Sequence, residues 1–309
     1  MVNGIINVYK EKGYTSFDVV AKLRGIFKMK KIGHTGTLDP DAEGVLPVCL
    51  GKATKVCDLL TDKNKEYEAV MLLGKVTDTQ DISGKVLAEK AVSVTEKEVR
   101  EAIESFVGDY MQIPPMYSAL KVNGKKLCDL ARQGKTVERA ARPVRILGIE
   151  IMELDLPRVR LRVECSKGTY IRTLCQDIGE KLGCGACMES LLRTRVSAFS
   201  LEQALRLSEI EELVKKETGD IPPEEWTAEC FTFVNTVDQV FTQYKKAVVR
   251  REFGKILYNG NRLGTEMFLE LPERQKMDML RVYDEEGNFI GIYGWNTDSY
   301  KPVKIFMEL

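Results

Sequence analysis

The sequence predicts an α+β protein followed by a smaller β unit. Three observations carry this. Residues 158–165 alternate strictly, with Val159, Leu161, Val163 and Cys165 on one side and Arg158, Arg160, Arg162 and Glu164 on the other, the period of a half-buried strand. Ile171, Leu174, Ile178 and Leu182 then repeat at helical spacing up to a stop at Gly183. From about residue 240 onwards, short apolar runs divided by turn residues replace the helical patterns.

Taken in order, residues 4–9 read as a strand and residues 10–14 as a turn. Thr15 or Ser16 caps a helix bearing Val19, Leu23, Ile26 and Phe27. Residues 53–60 look helical, residues 66–74 are a buried strand, and residues 78–84 are a polar turn. Thr95-Glu96-Lys97-Glu98 is a capping box opening a helix whose stripe is Val99, Ala102, Ile103 and Phe106, with Gly108 as its stop. Residues 112–145 combine prolines, glycines and basic residues around a short helical piece, which predicts a strand pair joined by a long basic connection. Residues 208–216 form a capped helix and Pro222-Pro223 a linker. Residues 280–284 and 289–293 form a hairpin, and residues 304–308 a last strand. The expected domains are 1–238 and 239–309.

The chain has 309 residues, 44% hydrophobic and 30% charged, enough for two cores of a soluble protein. No apolar run reaches the roughly 18 residues of a membrane helix, and the first residues lack a secretory pattern, so the cytoplasm is expected. Eight cysteines are irregularly spaced, and Cys184 and Cys187 form a lone pair without the further ligands a zinc site needs. They are expected to be structural. Net charge is zero but segregated: residues 111–150 hold eight Lys/Arg against three Asp/Glu, residues 158–195 eight against four, and residues 201–230 three against nine. Such a chain can still turn a basic face to phosphates.

The stretch 33–40 (GHTGTLDP) leads two glycines, two threonines and the one histidine of the chain up to Asp39. Pro40 restricts Asp39 to extended geometry, and the glycines allow a tight approach, so the carboxylate sits on a stiff loop. An ordinary Asp-Pro turn is the competing reading. A phosphate loop is not, because neither GxxxxGK[ST] nor GxGxxG is present.

With its continuation to Lys55 (DAEGVLPVCLGKATK), this stretch resembles the signature of the TruB family, the tRNA pseudouridine-55 synthases. The likeness extends to five further places. Lys65-Glu66-Tyr67 is similar to the family's K-x-Y, residues 78–84 to its TDTxDxxG, and residues 114–132 to its PPxYSALKxxGxxxYxLAR. Residues 166–174 (SKGTYIRTL) and 189–199 (ESLLRTRVSAF) are similar to its G-T-Y-I-R and L-R-R-T-x-x-G-x-F. The chain departs from the family at Glu11, where a proline is usual, at Leu127-Cys128 in place of an aromatic, at Leu192 in place of an arginine and at Ser197 in place of a glycine.

The resemblance implies a pseudouridine-synthase fold, with a central mixed or antiparallel sheet flanked by helices and loops, and a small PUA-like β-barrel at the C-terminal end. It implies isomerisation of uridine in the tRNA T-loop: the base is flipped out, C1′–N1 is broken, the uracil rotates, and C5 is joined to C1′. No cofactor and no metal are needed. Asp39 is the essential carboxylate, as nucleophile or base, and Arg172 its partner. Tyr67 stacks on the uracil, Tyr170 lines the pocket or relays the C5 proton, Leu191 packs on the ring, and His34 fills the space the base leaves. Lys10 belongs to the substrate side through the family's first turn. The 112–145 insertion grips the T-arm, with Lys121, Lys125, Lys126 and Arg132 on phosphates. tRNA is the expected partner of a monomer, with no membrane or protein partner. The rival readings are a guide-RNA-dependent synthase of the dyskerin type, and an RNA-binding or chaperone protein with a structural aspartate.

Overall fold

The computed structural model describes residues 1–61, 63–122, 124–273 and 279–307. Nine strands form the central sheet: β1 (Gly4–Lys10), β2 (Ile32–His34), β3 (Glu43–Leu50), β4 (Lys65–Leu73), β5 (Gly108–Gln112), β6 (Arg142–Asp155), β7 (Arg158–Cys165), β8 (Ala186–Val196) and β9 (Phe199–Ser200). Their order is β1-β3-β8-β4-β7-β6-β5, with β2 on β3 and β9 on β8. Every pairing is antiparallel except the two-residue seam between β3 and β8, where Leu192 meets Glu43 and Arg193 meets Gly44. At that seam Gly44 has φ +104°, and a Cβ would fall 2.2 Å from the Arg193 carbonyl oxygen, so glycine is required.

The helices that matter here are α1 (Ser16–Ile26), α2 (Glu96–Glu104), α3 (Leu127–Arg132), α4 (Ile171–Lys181) and α5 (Leu207–Thr218). Thr15 caps α1 and Thr95 caps α2, each in a reciprocal capping box. The capped helix expected over residues 208–216 is present as well. In α5 the cap is Arg206, whose backbone N–H is answered by Glu209, and Ser208 lies inside the first turn.

The two ends of the sheet are covered differently. At the β1-β3 end both faces are buried. Ile6, Val8, Leu46, Val48 and Leu50 pack under α1 and α5, while Ile5, Val45 and Cys49 pack against Leu60, Phe199 and Phe241. At the β4-β7 end one face holds the core, where Tyr67, Ala69, Met71, Val159, Leu161 and Val163 meet α2 and α4. The other face is open and carries cross-strand ion pairs. Arg158 grips Glu189 at 2.9 Å, Arg160 meets Glu68 at 2.8 Å, Arg162 meets Glu150 at 2.7 Å, and Arg195 meets Glu164 at 3.1 Å. The basic excess of residues 158–195 is therefore largely answered locally and does not form a free phosphate-binding face. A hollow of about 440 Å³ on this face is lined by Tyr9, Glu43, Glu68, Glu153 and Arg158.

The strand pair around residues 112–145 is present: Arg142 pairs with Gln112 and Ile146 with Gly108. Its connection contains α3 and a small ladder between Lys121–Val122 and Lys125–Lys126. Pro222-Pro223 is not a linker. The chain after it makes short 3-10 turns and buries Trp226, Ala228, Phe231 and Val234 against α1 and β1.

The C-terminal strands are β10 (Lys245–Val249), β11 (Phe268–Glu270), β12 (Met279–Tyr283), β13 (Phe289–Asn296) and β14 (Ser299–Ile305). They form a five-stranded sheet in the order β11-β10-β12-β13-β14, not the closed barrel expected. A single bridge between Leu263 and Tyr300 draws the chain before β11 against β14. With only three residues in β11, no ladder closes the sheet between them. The last strand ends at Ile305, and Glu308 of the expected strand lies outside the described residues. The sheet reaches the rest of the protein through Ile292, which packs with Ile5, Val45 and Phe241. No helix among the described residues is long and apolar enough to cross a membrane.

Candidate active site

Asp39 stands on the loop between β2 and β3, and nearly every backbone group around it is tied down. Ser16, capped into the first turn of α1, accepts the Leu38 N–H at 2.9 Å and donates to the Leu38 carbonyl at 3.3 Å. The Lys10 ammonium donates to the carbonyls of Glu11, Pro40 and Ala42 at 3.2, 3.1 and 2.6 Å. Thr61 donates to the Thr35 carbonyl at 2.9 Å. Arg193 donates from Nη2 to Gly36 at 3.3 Å and from Nη1 to Thr37 at 3.5 Å. A carboxylate carried on such a loop is aimed by the backbone.

Arg172 lies in the first turn of α4, next to the N-cap Tyr170. Its Nε meets Asp39 Oδ2 at 3.0 Å and its Nη2 meets Oδ1 at 3.3 Å, a two-point grip. The arginine side chain is 6% exposed and that of Asp39 37%, so the carboxylate opens to the cleft on one side. Burial raises the Asp39 carboxyl above its ordinary range, and the Arg172 guanidinium is the main influence opposing this. Arg172 also donates to the carbonyls of Thr79 and Tyr117 at 3.1 and 3.0 Å, and its Nη1 lies 3.6 Å from Asp81 Oδ2. Asp81 is in turn fixed by the hydroxyls of Thr79 and Ser83 at 2.8 and 2.6 Å.

Tyr67 is the third residue of β4 and is 7% exposed, on the core face with Ala69 and Leu191. Burial pushes its phenol up to about 12, so it is a neutral donor at physiological pH. Arg193 faces it across the β4-β8 ladder, and its charge opposes the effect of burial on the phenol. His34 ends β2. Its Nδ1 accepts the Gly36 N–H at 3.4 Å, which assigns the ring proton to Nε2. Burial, assisted by Arg193, lowers its pKa and keeps it neutral. Tyr170 is half-buried, and burial raises its phenol. Gln112, 1% exposed, clamps the Tyr170 backbone from both sides: its amide accepts from the N–H at 2.8 Å and donates to the carbonyl at 3.0 Å.

The structure therefore brings Asp39, Arg172, Tyr67, His34, Tyr170 and Leu191 around one region. Lys10 lies beneath it, fully buried, its pKa lowered to about 8 by that burial and its protons directed to loop carbonyls. Lys121, Lys125 and Lys126 are exposed on the insertion, and Arg132 pairs with Asp129 at 3.5 Å at the end of α3. Lys121 stands opposite Lys126 across the small ladder, a like-charge pair that an anion would relieve. Cys184 and Cys187 are buried free thiols. The sequence reading gave Arg193, Asp81 and Gln112 no role at the site and Ser16 only that of a helix cap. The available signal was the resemblance: Arg193 and Asp81 both fall inside matched family motifs.

The chain matches two family models: "TruB family pseudouridylate synthase (N terminal domain)" over residues 24–171, and "tRNA pseudouridylate synthase B C-terminal domain" over residues 172–237. It is similar to the tRNA pseudouridine synthase B of Lachnoclostridium phytofermentans, with 55% identity covering 99% of this chain and 100% of that protein. It is likewise similar to the protein of that name from Clostridium novyi, at 46% identity with 99% and 100% covered. Among solved structures, it resembles a chain of an H/ACA RNP bound to a substrate RNA containing 2′-deoxyuridine, with TM-score 0.73, 25% identity, and 99% of this chain and 85% of that one covered. A chain of a Cbf5-Nop10-Gar1 complex gives TM-score 0.75 and 27% identity, with 98% and 85% covered.

Proposed function

The chain belongs to the TruB family of pseudouridylate synthases, and we propose that it isomerises the T-loop uridine of tRNA, position 55, to pseudouridine. The observation that carries this reading is the two-point Arg172–Asp39 pair on a fully tethered loop, close to a buried tyrosine. The reaction needs an anionic group at the sugar, as in glycosidases. Asp39 supplies it, and Arg172 favours its ionised form in a site that burial would otherwise neutralise. The target base must leave its stack to reach the carboxylate, and Tyr67 receives it by stacking. Leu191 packs on the ring, Tyr170 lines the pocket, and neutral His34 takes the place of the flipped base without adding charge. Lys10 acts through the loop it ties down.

On this reading the insertion grips the T-arm. Lys121, Lys125 and Lys126 contact phosphates, and the opposed Lys121 and Lys126 are what favours that use. Residues 239–309 form the smaller RNA-side domain beside a catalytic domain of residues 1–238. The protein works as a monomer in the cytoplasm.

The test is release of tritium from unmodified tRNA labelled at C5 of uridine, because C5 loses its hydrogen only when the base is rejoined through that carbon. The native protein releases label without a guide RNA. Asp39→Asn releases it at least about 10³-fold more slowly while still binding tRNA. Tight binding without release from the native protein would favour an RNA-binding role or a guide-dependent enzyme. Equal release from both proteins would move the chemistry to another residue.

A further inference from the structure

Arg193 is among the largest fully buried side chains, 1% exposed. It donates to the carbonyls of Val45, Gly36 and Thr37 at 2.7, 3.3 and 3.5 Å and stands opposite Tyr67 in the strand register. Among the described residues no carboxylate forms an ion pair with it. The other arginines near the sheet centre differ: Arg172 has Asp39 and Asp81, and Arg158, Arg160, Arg162 and Arg195 have glutamates. A guanidinium buried without an anion is costly, and carbonyl dipoles offset that only in part. A charge kept in this state is suited to an anion that exists only during the reaction.

The reaction makes such an anion. When the C1′–N1 bond breaks, its electron pair leaves with the base as a uracil anion. Asp39 compensates the sugar, either by bonding C1′ or by taking a C2′ proton. The pair is returned when C5 bonds C1′, as Asp39 leaves C1′ or gives the proton back to C2′; C5 then gives up its proton and N1 gains one. Between those steps the negative charge rests on a ring stacked against Tyr67.

We propose that Arg193 is a positioning residue for this leaving base: it turns the Tyr67 hydroxyl towards the uracil and places an unpaired positive charge behind it. The inference rests on the reading of the site given above. An arginine only donates hydrogen bonds, so a Tyr67 oxygen facing it accepts, and the phenol proton then points elsewhere. The strand register fixes this relation, with Arg193 opposite Tyr67 on β4 and beside Gly44 on β3. Since the phenol stays protonated up to about 12, it remains a donor when the anion forms.

A structural clamp and a charge device separate on the leaving group. Single-turnover rates at saturating tRNA are to be measured for the native protein, Arg193→Lys and Arg193→Met, with uridine or 5-fluorouridine at the target position. The rearranged nucleoside is read by digestion and mass spectrometry. Fluorine withdraws electrons and makes the ring a better leaving anion. Arg193→Met is expected to slow uridine conversion about 100-fold with tRNA affinity changed less than about 3-fold, and to lose only about 10-fold on 5-fluorouridine. Arg193→Lys keeps the charge and falls between. If Arg193→Met does not fold, Tyr67→Phe carries the same test, because it removes the group through which Arg193 acts. Equal losses on the two substrates, or a lower affinity with an unchanged rate, would overturn the proposal in favour of a scaffold role. Conversion of neither substrate by the native protein would overturn the underlying reading, and this one with it.

Discussion

Nη2 of Arg172 lies 3.0 Å from the carbonyl oxygen of Tyr117 and 3.3 Å from Oδ1 of Asp39. One nitrogen thus joins the Asp39 carboxylate to the backbone of the 112–145 insertion. On the function proposed above, the grip on the RNA and the chemistry share a side chain.

Arg172→Lys tests the pair. A lysine is a point charge and cannot span two carboxylate oxygens and two carbonyls, so activity should fall about 100-fold. The pH dependence gives the sign. Burial raises the Asp39 carboxyl and Arg172 lowers it, so weakening the arginine contact raises it further. The acid limb of the single-turnover rate should move to higher pH, with the deficit larger at pH 6 than at pH 8.5. An unmoved limb would mean that Arg172 acts on geometry alone.

Gln112→Ala removes both hydrogen bonds to the Tyr170 backbone and leaves its N–H without a partner, while its carbonyl keeps the Leu174 N–H at 3.0 Å. The expected cost is about 1–3 kcal/mol, seen as a lower midpoint in urea. The catalytic rate should fall as well, because the N-cap of α4 loosens next to Arg172. Loss of stability with a native rate would show that the clamp does not reach the site.

Asp177 on α4 accepts the Tyr110 hydroxyl at 3.1 Å, and burial raises its carboxyl to about 6. Its unfolded value is about 4. The folded state therefore holds the proton more tightly, and this contribution to stability is complete below about pH 4 and lost as pH rises through 6. Asp177→Asn keeps an acceptor for Tyr110 without the charge. It should gain about 1 kcal/mol at pH 8, after allowance for partial exposure, and almost nothing at pH 4. Thermal melts at the two pH values decide it.

Ser16→Ala leaves the Leu38 N–H unanswered in a buried position one residue before Asp39. A loss of about 1–2 kcal/mol is expected, together with a rate reduction of about 10-fold at saturating tRNA. Thr15→Ala should cost about 1 kcal/mol through the cap and affect the rate less. Equal effects on rate would place the role of Ser16 in the helix and not in the loop.

Much of the fold was legible because its patterns are local. The alternation of Arg158–Cys165, the capping boxes at Thr15 and Thr95, and the helix after Tyr170 each follow from a few adjacent residues. The Asp39–Arg172 pair was legible only through the resemblance, since nothing in spacing joins residues so far apart. What failed was decided by long-range packing. Pro222-Pro223 has the composition of a linker, but Trp226 and Phe231 beyond it fill the space over α1. The basic residues of 158–195 meet glutamates of β4, β6, β7 and β8 that only the sheet brings beside them. Arg193 could not be assigned, because its meaning lies in standing opposite Tyr67.

The two-residue parallel seam between β3 and β8 also has a consequence in time. The strands bearing the Asp39 loop lie on one side of it, and Tyr67 and Arg193 on the other. During synthesis β1 can pair with β3 early, but the seam waits for Arg193, and the cover over α1 for Phe231. Such distant closures are slow relative to local ones. A nascent chain that ends before β8 holds its acid without its tyrosine pocket, so competence for chemistry arrives late, after most of the sheet has been made.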